Sequence, residues 1–325
     1  MKFNIEESYN LHVINLFNYF PKLYEINKSY IINFIKKNKI HLFMVYSLSN
    51  TLQKTSALVC KKLGIPVISI QHGGGYGTHK YTRSEFNDLH FSDYFLVFSK
   101  KYYFKKNNIF KKKTKLIPSG NIFLTNIVNR YKSKNKQTKK ITKILYISDG
   151  NDPDYLNSCK RKESDFSLFD KQKLFFSNLK NSKLKLTYRP FVGSQNLGFT
   201  NYLKNKNVNI DNDTNIYEQI LENDLIITDS SPGSVITDAL IFEKKLIVLT
   251  YENGNLFYNF YKKILNQSCL LINNKKQIIN LSKKINNRSF VFPKKINPKN
   301  YKREFLNIKK NDFLQNFILD IKSKL

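Results

Sequence analysis

A histidine and a run of glycines follow a largely apolar segment at residues 67–71. The run consists of His72, Gly73, Gly74, Gly75, Tyr76 and Gly77. Imidazole titrates near neutral pH, so His72 is the best candidate for a general base, and a histidine that only bonds the loop backbone is the alternative. Glycine lets a ligand approach the backbone closely, and the chain has only 11 glycines in 325 residues. We therefore expect this loop to line a ligand-binding cleft.

A second polar turn follows the apolar run at residues 225–228 and precedes a predicted helix. Its candidate binding residues are Asp229, Ser230, Ser231, Gly233 and Ser234. Pro232 suits the first turn of a helix, and serine side chains cap free backbone N–H groups there. The same N–H groups and the helix dipole can bind a phosphate. The turn is a candidate phosphate site, with an ordinary serine-capped helix as the alternative.

Other strand ends carry further candidates for the same cleft. Arg189 closes an apolar segment, and its guanidinium can bind a phosphate through two hydrogen bonds; a structural, salt-bridged arginine is the alternative. Gly150 follows a strand and could approach a diphosphate. Gly120 and Asn121 follow another strand and could face the cleft, or form a plain turn.

Apolar runs that fit buried strands alternate with segments that fit helices. Strands are predicted at 40–47, 65–70, 94–99 and 115–121, and again at 144–148, 184–190, 225–230 and 245–250. Helices are predicted as two within 6–38 and one each at 50–64, 165–181, 215–222 and 232–243, followed by a helical, basic tail at 275–325. This alternation predicts an α/β fold with parallel sheets.

A polar, basic segment at 130–143 is the best linker candidate. It divides the chain into a Rossmann-like N-terminal domain at 1–135 and a Rossmann-like C-terminal domain at 144–325 that includes the tail. Open parallel sheets bind ligands outside the carboxyl ends of their strands. We therefore expect the two domains to face each other across a cleft lined by the candidate residues.

The composition limits the possible partners and compartments. The net charge is +31, yet 49 lysines stand beside only 6 arginines and 41 asparagines, which is typical of AT-rich codons. Nucleic-acid sites favour arginine, so nucleic acid is an unlikely partner, whereas an anionic membrane surface stays open as one. Three scattered cysteines fit neither a disulfide framework nor a zinc site and favour the cytoplasm. No signal peptide and no apolar run long enough to span a bilayer is evident.

Motifs for metals and cofactors are absent or weak. Asp152 and Asp154 have the spacing of a metal-binding Asp-x-Asp motif, but we interpret them as part of a turn. There is no Walker loop, no G-x-S-x-G and no His/Cys cluster with metal-ligand spacing. We expect no cofactor and no metal.

Two segments resemble bacterial glycosyltransferases of the GT-B architecture, especially those of surface and capsular polysaccharide synthesis. They read "LGIPVISIQHGGGYG" (63–77) and "NDLIITDSSPGSVITDALIFEKKLIVL" (223–249), and CDP-glycerol polymer transferases and CMP-sugar transferases share parts of the pattern. The likeness covers roughly 40–325. In such enzymes an acidic residue, often Glu, follows the serine turn and can bind the donor sugar or ribose; here it is Asp238. The usual "GKP" is "EKK" (243–245). The chain opens with helices where such enzymes commonly open with a strand and a glycine-rich acceptor loop, so either the N-terminal domain is shortened or the acceptor site is built differently.

The resemblance implies a metal-independent glycosyltransferase that takes a nucleotide-sugar donor and a glycan or lipid-linked acceptor. It would act in polysaccharide biosynthesis for the cell envelope or capsule, in the cytoplasm and peripherally on the inner membrane face. The C-terminal domain would bind the donor and the N-terminal domain the acceptor. Two alternatives are a GT-B-fold nucleotide-sugar 2-epimerase and a degenerate, non-catalytic basic scaffold that binds anionic glycan or nucleic acid.

Overall fold

The structure is a computed structural model of the 325-residue chain. It describes residues 5–71, 73, 76–78, 83–99, 114–135, 140–148, 165–179, 184–190, 197–206, 208–211, 214–229, 234–250, 257–305, 317 and 319. The described residues form two parallel sheets with helices between their strands.

The first sheet is built from the N-terminal third of the chain. Its elements are α1 (Ile5–Asn38), β1 (Phe43–Val45), α2 (Thr51–Lys62), β2 (Val67–Ile70), α3 (Arg83–Phe91), β3 (Tyr94–Val97) and β4 (Lys115–Pro118). The strand order is β1-β2-β3-β4, and both β1–β2 and β2–β3 are parallel. Where the sequence predicted two helices in 6–38, the structure has one helix of 34 residues with Pro21 inside it.

Local sequence signals explain how α2 connects β1 to β2. Asn50 caps the helix, since its side chain accepts a hydrogen bond from the N–H of Gln53, and the Gln53 side chain accepts one from the N–H of Asn50. This reciprocal capping box satisfies N–H groups that the first helical turn leaves unpaired. Gly64, at φ +72°, allows the chain to turn back into β2. The helix then buries Ala57 and Cys60 in a core that also contains residues of α1, β1 and β2.

The second sheet is larger. Its strands are β5 (Lys143–Ile147), β6 (Lys185–Arg189), β7 (Asn209–Ile210), β8 (Leu225–Thr228), β9 (Lys245–Leu249) and β10 (Leu270–Ile272). The helices around it are α4 (Ile122–Arg130), α5 (Asp165–Ser177), α6 (Leu197–Lys204), α7 (Ile216–Glu222), α8 (Ser234–Ile241), α9 (Asn259–Ser268), α10 (Lys275–Asn286) and α11 (Lys299–Phe305). The strand order is β10-β9-β8-β5-β6-β7, and every neighbouring pair is parallel.

Alternate residues of the central strands enter two separate cores. Leu145 and Ile226 belong to one hydrophobic cluster, whereas Ile144, Leu225 and Ile227 belong to the other. Because successive side chains of a strand point to opposite faces, the two clusters lie on the two faces of the sheet. The strands therefore read as continuous apolar runs, as expected for a parallel sheet that is covered on both sides.

The tail is not one continuous helix. Residues between α10 and α11 form no regular element, and Pro293 and Pro298 lie in this stretch. Helix α10 ends shortly before Arg288, which adopts φ +56°, a left-handed conformation that cannot continue a right-handed helix. None of the helices in the described part of the chain combines the length and the apolar character needed to cross a membrane.

The contacts divide the chain into two compact units. The smaller unit comprises Met1–His72, Ser84–Leu96 and Asn108–Ile117, and the larger unit comprises Gly73–Arg83, Val97–Asn107 and Pro118–Leu325. Helix α4 belongs to the larger unit, where Leu124 and Ile127 join its core. The domain limits 1–135 and 144–325 stay a prediction.

Candidate functional site

The carboxyl edge of the larger sheet is the place where a ligand would bind. From β5 the chain proceeds through β6 and β7 on one side of the sheet, and then through β8, β9 and β10 on the other. Parallel sheets with this order bind ligands in the crevice where the direction reverses, which here lies between the ends of β5 and β8. Ser148 follows β5 directly, and Asp229 follows β8.

A buried polar network holds Asp229 in place. The Asp229 carboxylate is 1% exposed, and its Oδ2 accepts hydrogen bonds from the Tyr146 hydroxyl at 2.7 Å and from Gln172 Nε2 at 2.8 Å. Gln172 Nε2 also donates to Ser148 Oγ at 2.6 Å. The network thus ties the ends of β5 and β8 to helix α5, so it fixes the position from which the serine turn starts.

Tyr188 extends this network towards β6. Its ring stacks on the ring of Tyr146 with centroids 5.8 Å apart, and its hydroxyl donates to Gln172 Oε1 at 3.5 Å. Burial raises the pKa of Tyr188, so the phenol stays neutral and keeps its proton as a donor. Sequence reasoning missed Tyr146, Tyr188 and Gln172 as supports of the site; the one available signal was a tyrosine inside each of two apolar strands.

Arg189, the last residue of β6, is half-buried and bonded within its own unit. Its Nη1 donates to the carbonyl oxygen of Thr214 at 2.6 Å and to Gln219 Oε1 at 2.7 Å. Thr214 is held in turn by Asp211, whose two carboxylate oxygens accept from its N–H and its hydroxyl at 3.1 and 2.8 Å. These two acceptors are neutral, and through them the arginine links Thr214 and α7 to the end of β6.

Helix α8 begins at Ser234, which is exposed, and Asp238 lies one turn further on. The Asp238 side chain is 8% exposed, and it makes no hydrogen bond or ion pair with any residue that the structure describes. Burial raises the pKa of Asp238 to about 7, because the ionised carboxylate is poorly solvated there. Buried polar groups are normally hydrogen-bonded, so a carboxyl in this state is a candidate contact for a ligand hydroxyl.

Helix α11 of the tail contacts α8 through a buried hydrogen bond. Thr237 Oγ1 and the Tyr301 hydroxyl of α11 form a hydrogen bond of 2.9 Å, and the Tyr301 hydroxyl lies 3.4 Å from that of Tyr261 in α9. Tyr301 is fully buried, and burial raises its pKa. These hydroxyl contacts link α8, α9 and α11 next to Asp238.

The described part of the glycine loop belongs to the larger unit. Tyr76, Gly77 and Thr78 are buried, and the Thr78 carbonyl oxygen accepts a hydrogen bond of 3.0 Å from the N–H of Tyr258. Gly77 adopts φ +70°, a conformation that favours glycine. At Gly73, by contrast, a Cβ atom would meet nothing within 4 Å, so open space adjoins that residue.

Gly120 and Asn121 shape the start of α4. Gly120 has φ +72°, and the Asn121 side chain caps the helix by accepting a hydrogen bond of 2.9 Å from the N–H of Leu124. The Asn121 side chain therefore has a structural task, and the prediction that these two residues line a ligand cleft stays a prediction.

The other predicted site residues lie outside the described residues. They are His72, Gly74, Gly75, Gly150, Ser230, Ser231 and Gly233, and Asp152 and Asp154 of the Asp-x-Asp turn lie outside as well. Within the described ranges, no group of three or more His, Cys, Asp or Glu side chains could hold a metal ion.

Two Rossmann-like α/β domains on parallel sheets define the GT-B class of protein, so the predicted fold class is confirmed. The UDP-GlcNAc 2-epimerase of Methanocaldococcus jannaschii, solved with UDP-GlcNAc and UDP, is 18% identical, with a TM-score of 0.58 over 93% of this chain and 81% of that one. The UDP-N-acetylglucosamine 2-epimerase of Rickettsia bellii is 13% identical, with a TM-score of 0.55 over 93% of this chain and 78% of that one. At these identities the likeness shows the fold alone.

Residues 14–253 match the LIC12162 family transferases, and the chain belongs to that family. No curated protein sequence matches the chain. The family and the fold agree with the predicted glycosyltransferase function, and the fold agrees equally with its 2-epimerase alternative.

Proposed function

We propose that the protein is a metal-independent glycosyltransferase that moves a sugar from a nucleotide-activated donor to a glycan or lipid-linked acceptor. One observation carries this proposal. At the point where the strand order of the larger sheet reverses, α8 begins five residues after the fixed Asp229. One turn later it carries the buried carboxyl of Asp238, which makes no hydrogen bond to any residue that the structure describes.

The donor would bind by its phosphate and by its hydroxyl groups. The first N–H groups of α8 have no partner inside the helix, so together with the helix dipole they suit a phosphate held by Ser230, Ser231, Gly233 and Ser234. Asp238 has a pKa near 7, so at neutral pH it can either donate or accept a hydrogen bond from a sugar or ribose hydroxyl.

Catalysis would need a base for the acceptor and a stabilised leaving group. His72 would take the proton of the attacking hydroxyl. The leaving nucleotide would be stabilised by the N-terminus of α8 and by Arg189, which removes the need for a metal ion. Gly150 would lie against the diphosphate, and Gly73 to Gly77 with Gly120 and Asn121 would line the path to the acceptor.

The biological setting follows from the resemblance of the two quoted segments. It suggests synthesis of a surface or capsular polysaccharide, by an enzyme that works in the cytoplasm and attaches peripherally to the inner membrane face. These statements are parts of the proposal, as is the assignment of the acceptor to the N-terminal domain.

Calorimetry with UDP, CDP and CMP and their sugar derivatives tests donor binding. UDP is the first probe because the M. jannaschii epimerase was solved with it. Asp238→Ala should weaken binding of the best nucleotide sugar roughly ten-fold or more, since a charged hydrogen bond is lost. Glu222→Gln, an exposed change on α7, is the matched control. Unchanged affinity in Asp238→Ala would remove this residue from the site.

Product analysis separates the three candidate functions. NMR of UDP-GlcNAc incubated without an acceptor would reveal a C2-epimer if the protein is an epimerase. Transfer to an acceptor, with no epimer, supports the proposal. Salt-sensitive binding to anionic glycan without affinity for any nucleotide would instead indicate the scaffold. In the transferase, His72→Asn should retain donor binding and lose turnover by roughly 10²- to 10⁴-fold.

A further inference from the structure

In residues 21–38 of helix α1, whose side chains the structure describes, there are two apolar faces, one buried and one exposed. Ile31 and Ile35 enter the core of the smaller unit. Ile26, Tyr30 and Phe34 are 68%, 68% and 51% exposed. Their spacing of four residues puts them in one row on a different side of the helix, because residues at i and i+4 are neighbours on a helix surface. This row is called the α1 stripe below.

Lysines continue the α1 stripe at both of its ends. Lys22 lies four residues before Ile26, and Lys37 lies three residues after Phe34, so both are on the same side of the helix and both are exposed. The stripe is thus a short band of aliphatic and aromatic side chains with a cationic group at each end. It spans roughly 12 Å from Ile26 to Phe34 at about 1.5 Å per residue.

We infer that the α1 stripe lies on the surface of an anionic lipid bilayer. A helix lying in the membrane interface presents aromatic and aliphatic side chains to the acyl boundary and lysines to the headgroups. Lysine stems can reach along the apolar surface while the ammonium groups contact lipid phosphates. This inference extends the proposed function by naming the surface of attachment. It rests on the proposed function only to explain why the protein would attach to a membrane.

The charge of the chain argues against a second copy as the occupant. If two copies paired through this stripe around a two-fold axis, the lysines at its ends would approach lysines of the other copy. Each copy also has a net charge of +31, so the two would repel each other at long range. An anionic bilayer, by contrast, attracts the same lysines.

Sedimentation with vesicles tests the inference on the full chain. Vesicles of phosphatidylcholine with a quarter phosphatidylglycerol are compared with vesicles of phosphatidylcholine alone, at 0.1 M salt. The stripe variant is Ile26→Ser/Tyr30→Ser/Phe34→Ser. The control is Phe123→Ser/Val291→Ser/Leu319→Ser, which changes side chains that are 64%, 76% and 57% exposed in the larger unit. We expect the stripe variant to lose at least ten-fold in partitioning to anionic vesicles, and the control less than two-fold.

The lysines should contribute measurably as well. Lys22→Gln/Lys37→Gln should lower partitioning to anionic vesicles by about five-fold per lysine and leave binding to neutral vesicles unchanged. Equal binding of the stripe variant and the wild type would show that net charge alone attracts the protein, and it would overturn the inference. So would a wild-type dimer in sedimentation velocity that the stripe variant dissociates, because the stripe would then be an interface between copies.

Calorimetry with UDP on the same preparations keeps the two proposals apart. A stripe variant that loses vesicles but binds UDP like the wild type supports the inference and shows that the variant is folded. A wild type that binds UDP but not anionic vesicles overturns the inference and leaves the donor site standing. Vesicle binding without affinity for any nucleotide supports the inference and overturns the donor site.

Discussion

Replacing Asp238 with asparagine should stabilise the folded protein at neutral and alkaline pH. The pKa of this buried carboxyl rises from 3.8 to about 7 on folding. The folded state therefore keeps a proton up to pH 7 that the unfolded chain releases near pH 4. The stability that this proton contributes is fully present below pH 4 and is lost as the pH rises to 7. Asparagine does not ionise, so it avoids the loss.

The size of the effect follows from the same shift. The pKa shift is roughly 3 units, and each unit corresponds to about 1.4 kcal/mol. At pH 8 the aspartate therefore lowers the free energy of unfolding by about 4 kcal/mol relative to a neutral side chain. At pH 5 the aspartate is ionised in most unfolded chains but still protonated in the folded protein, and it lowers the free energy of unfolding by about 2 kcal/mol. We expect Asp238→Asn to gain more stability at pH 8 than at pH 5, by about 2–3 kcal/mol.

Urea denaturation at pH 5, 6.5 and 8 measures this gain, with Glu222→Gln as the exposed control. Asp238→Asn should also bind nucleotide sugars more weakly, because the substitution replaces a titratable carboxyl with an amide. A gain that does not grow with pH would show that Asp238 is solvated or already paired in the folded protein. Stability lost at every pH would mean that the carboxylate has a favourable partner, contrary to our reasoning.

Four further substitutions test the supports of the site and the glycine loop. Gln172→Ala removes a donor to the buried Asp229 carboxylate and should cost roughly 2–3 kcal/mol in urea denaturation; an unaltered midpoint would mean that the network does not persist in solution. Gly77→Ala should lower the melting temperature, since φ +70° costs a residue with a Cβ about 1–2 kcal/mol, whereas Gly73→Ala should leave it unchanged because the space beside Gly73 is open. Arg189→Ala should destabilise the protein by roughly 2–3 kcal/mol through the loss of both Nη1 hydrogen bonds, and a variant as stable as the wild type would show that these bonds do not stabilise the folded protein.

The fold could be predicted because the strands are apolar runs separated by helix-length segments. The predicted strands at 144–148, 184–190, 225–230 and 245–250 coincide with β5, β6, β8 and β9. The two edge strands of the larger sheet, β7 with two residues and β10 with three, were not predicted.

The site was harder to predict, because its supports are distant in sequence. The serine turn indicated Asp229 and the resemblance indicated Asp238. The burial of Asp238, and its lack of a hydrogen bond to any described residue, depend on how α8 packs, which no local pattern encodes. Gln172 and Asp229 are separated by 57 residues and meet only in the folded chain. Arg189 was predicted to bind a phosphate, with a structural, salt-bridged arginine as the alternative. Its hydrogen bonds to Thr214 and Gln219 join residues that are 25 and 30 positions apart in sequence.

Each unit has a cysteine in its core, and this gives each unit a chemical reporter of its own opening. Cys60 lies in the core of the smaller unit, and Cys269 lies in a core of the larger one. Burial raises the pKa of Cys60 to about 11 and raises that of Cys269 as well, so neither thiol reacts as a thiolate while its core stays closed. In a Cys159→Ser background, the two labelling rates measured by mass spectrometry would follow the opening of the two units separately. Any difference between these rates would then show which half of the chain opens first.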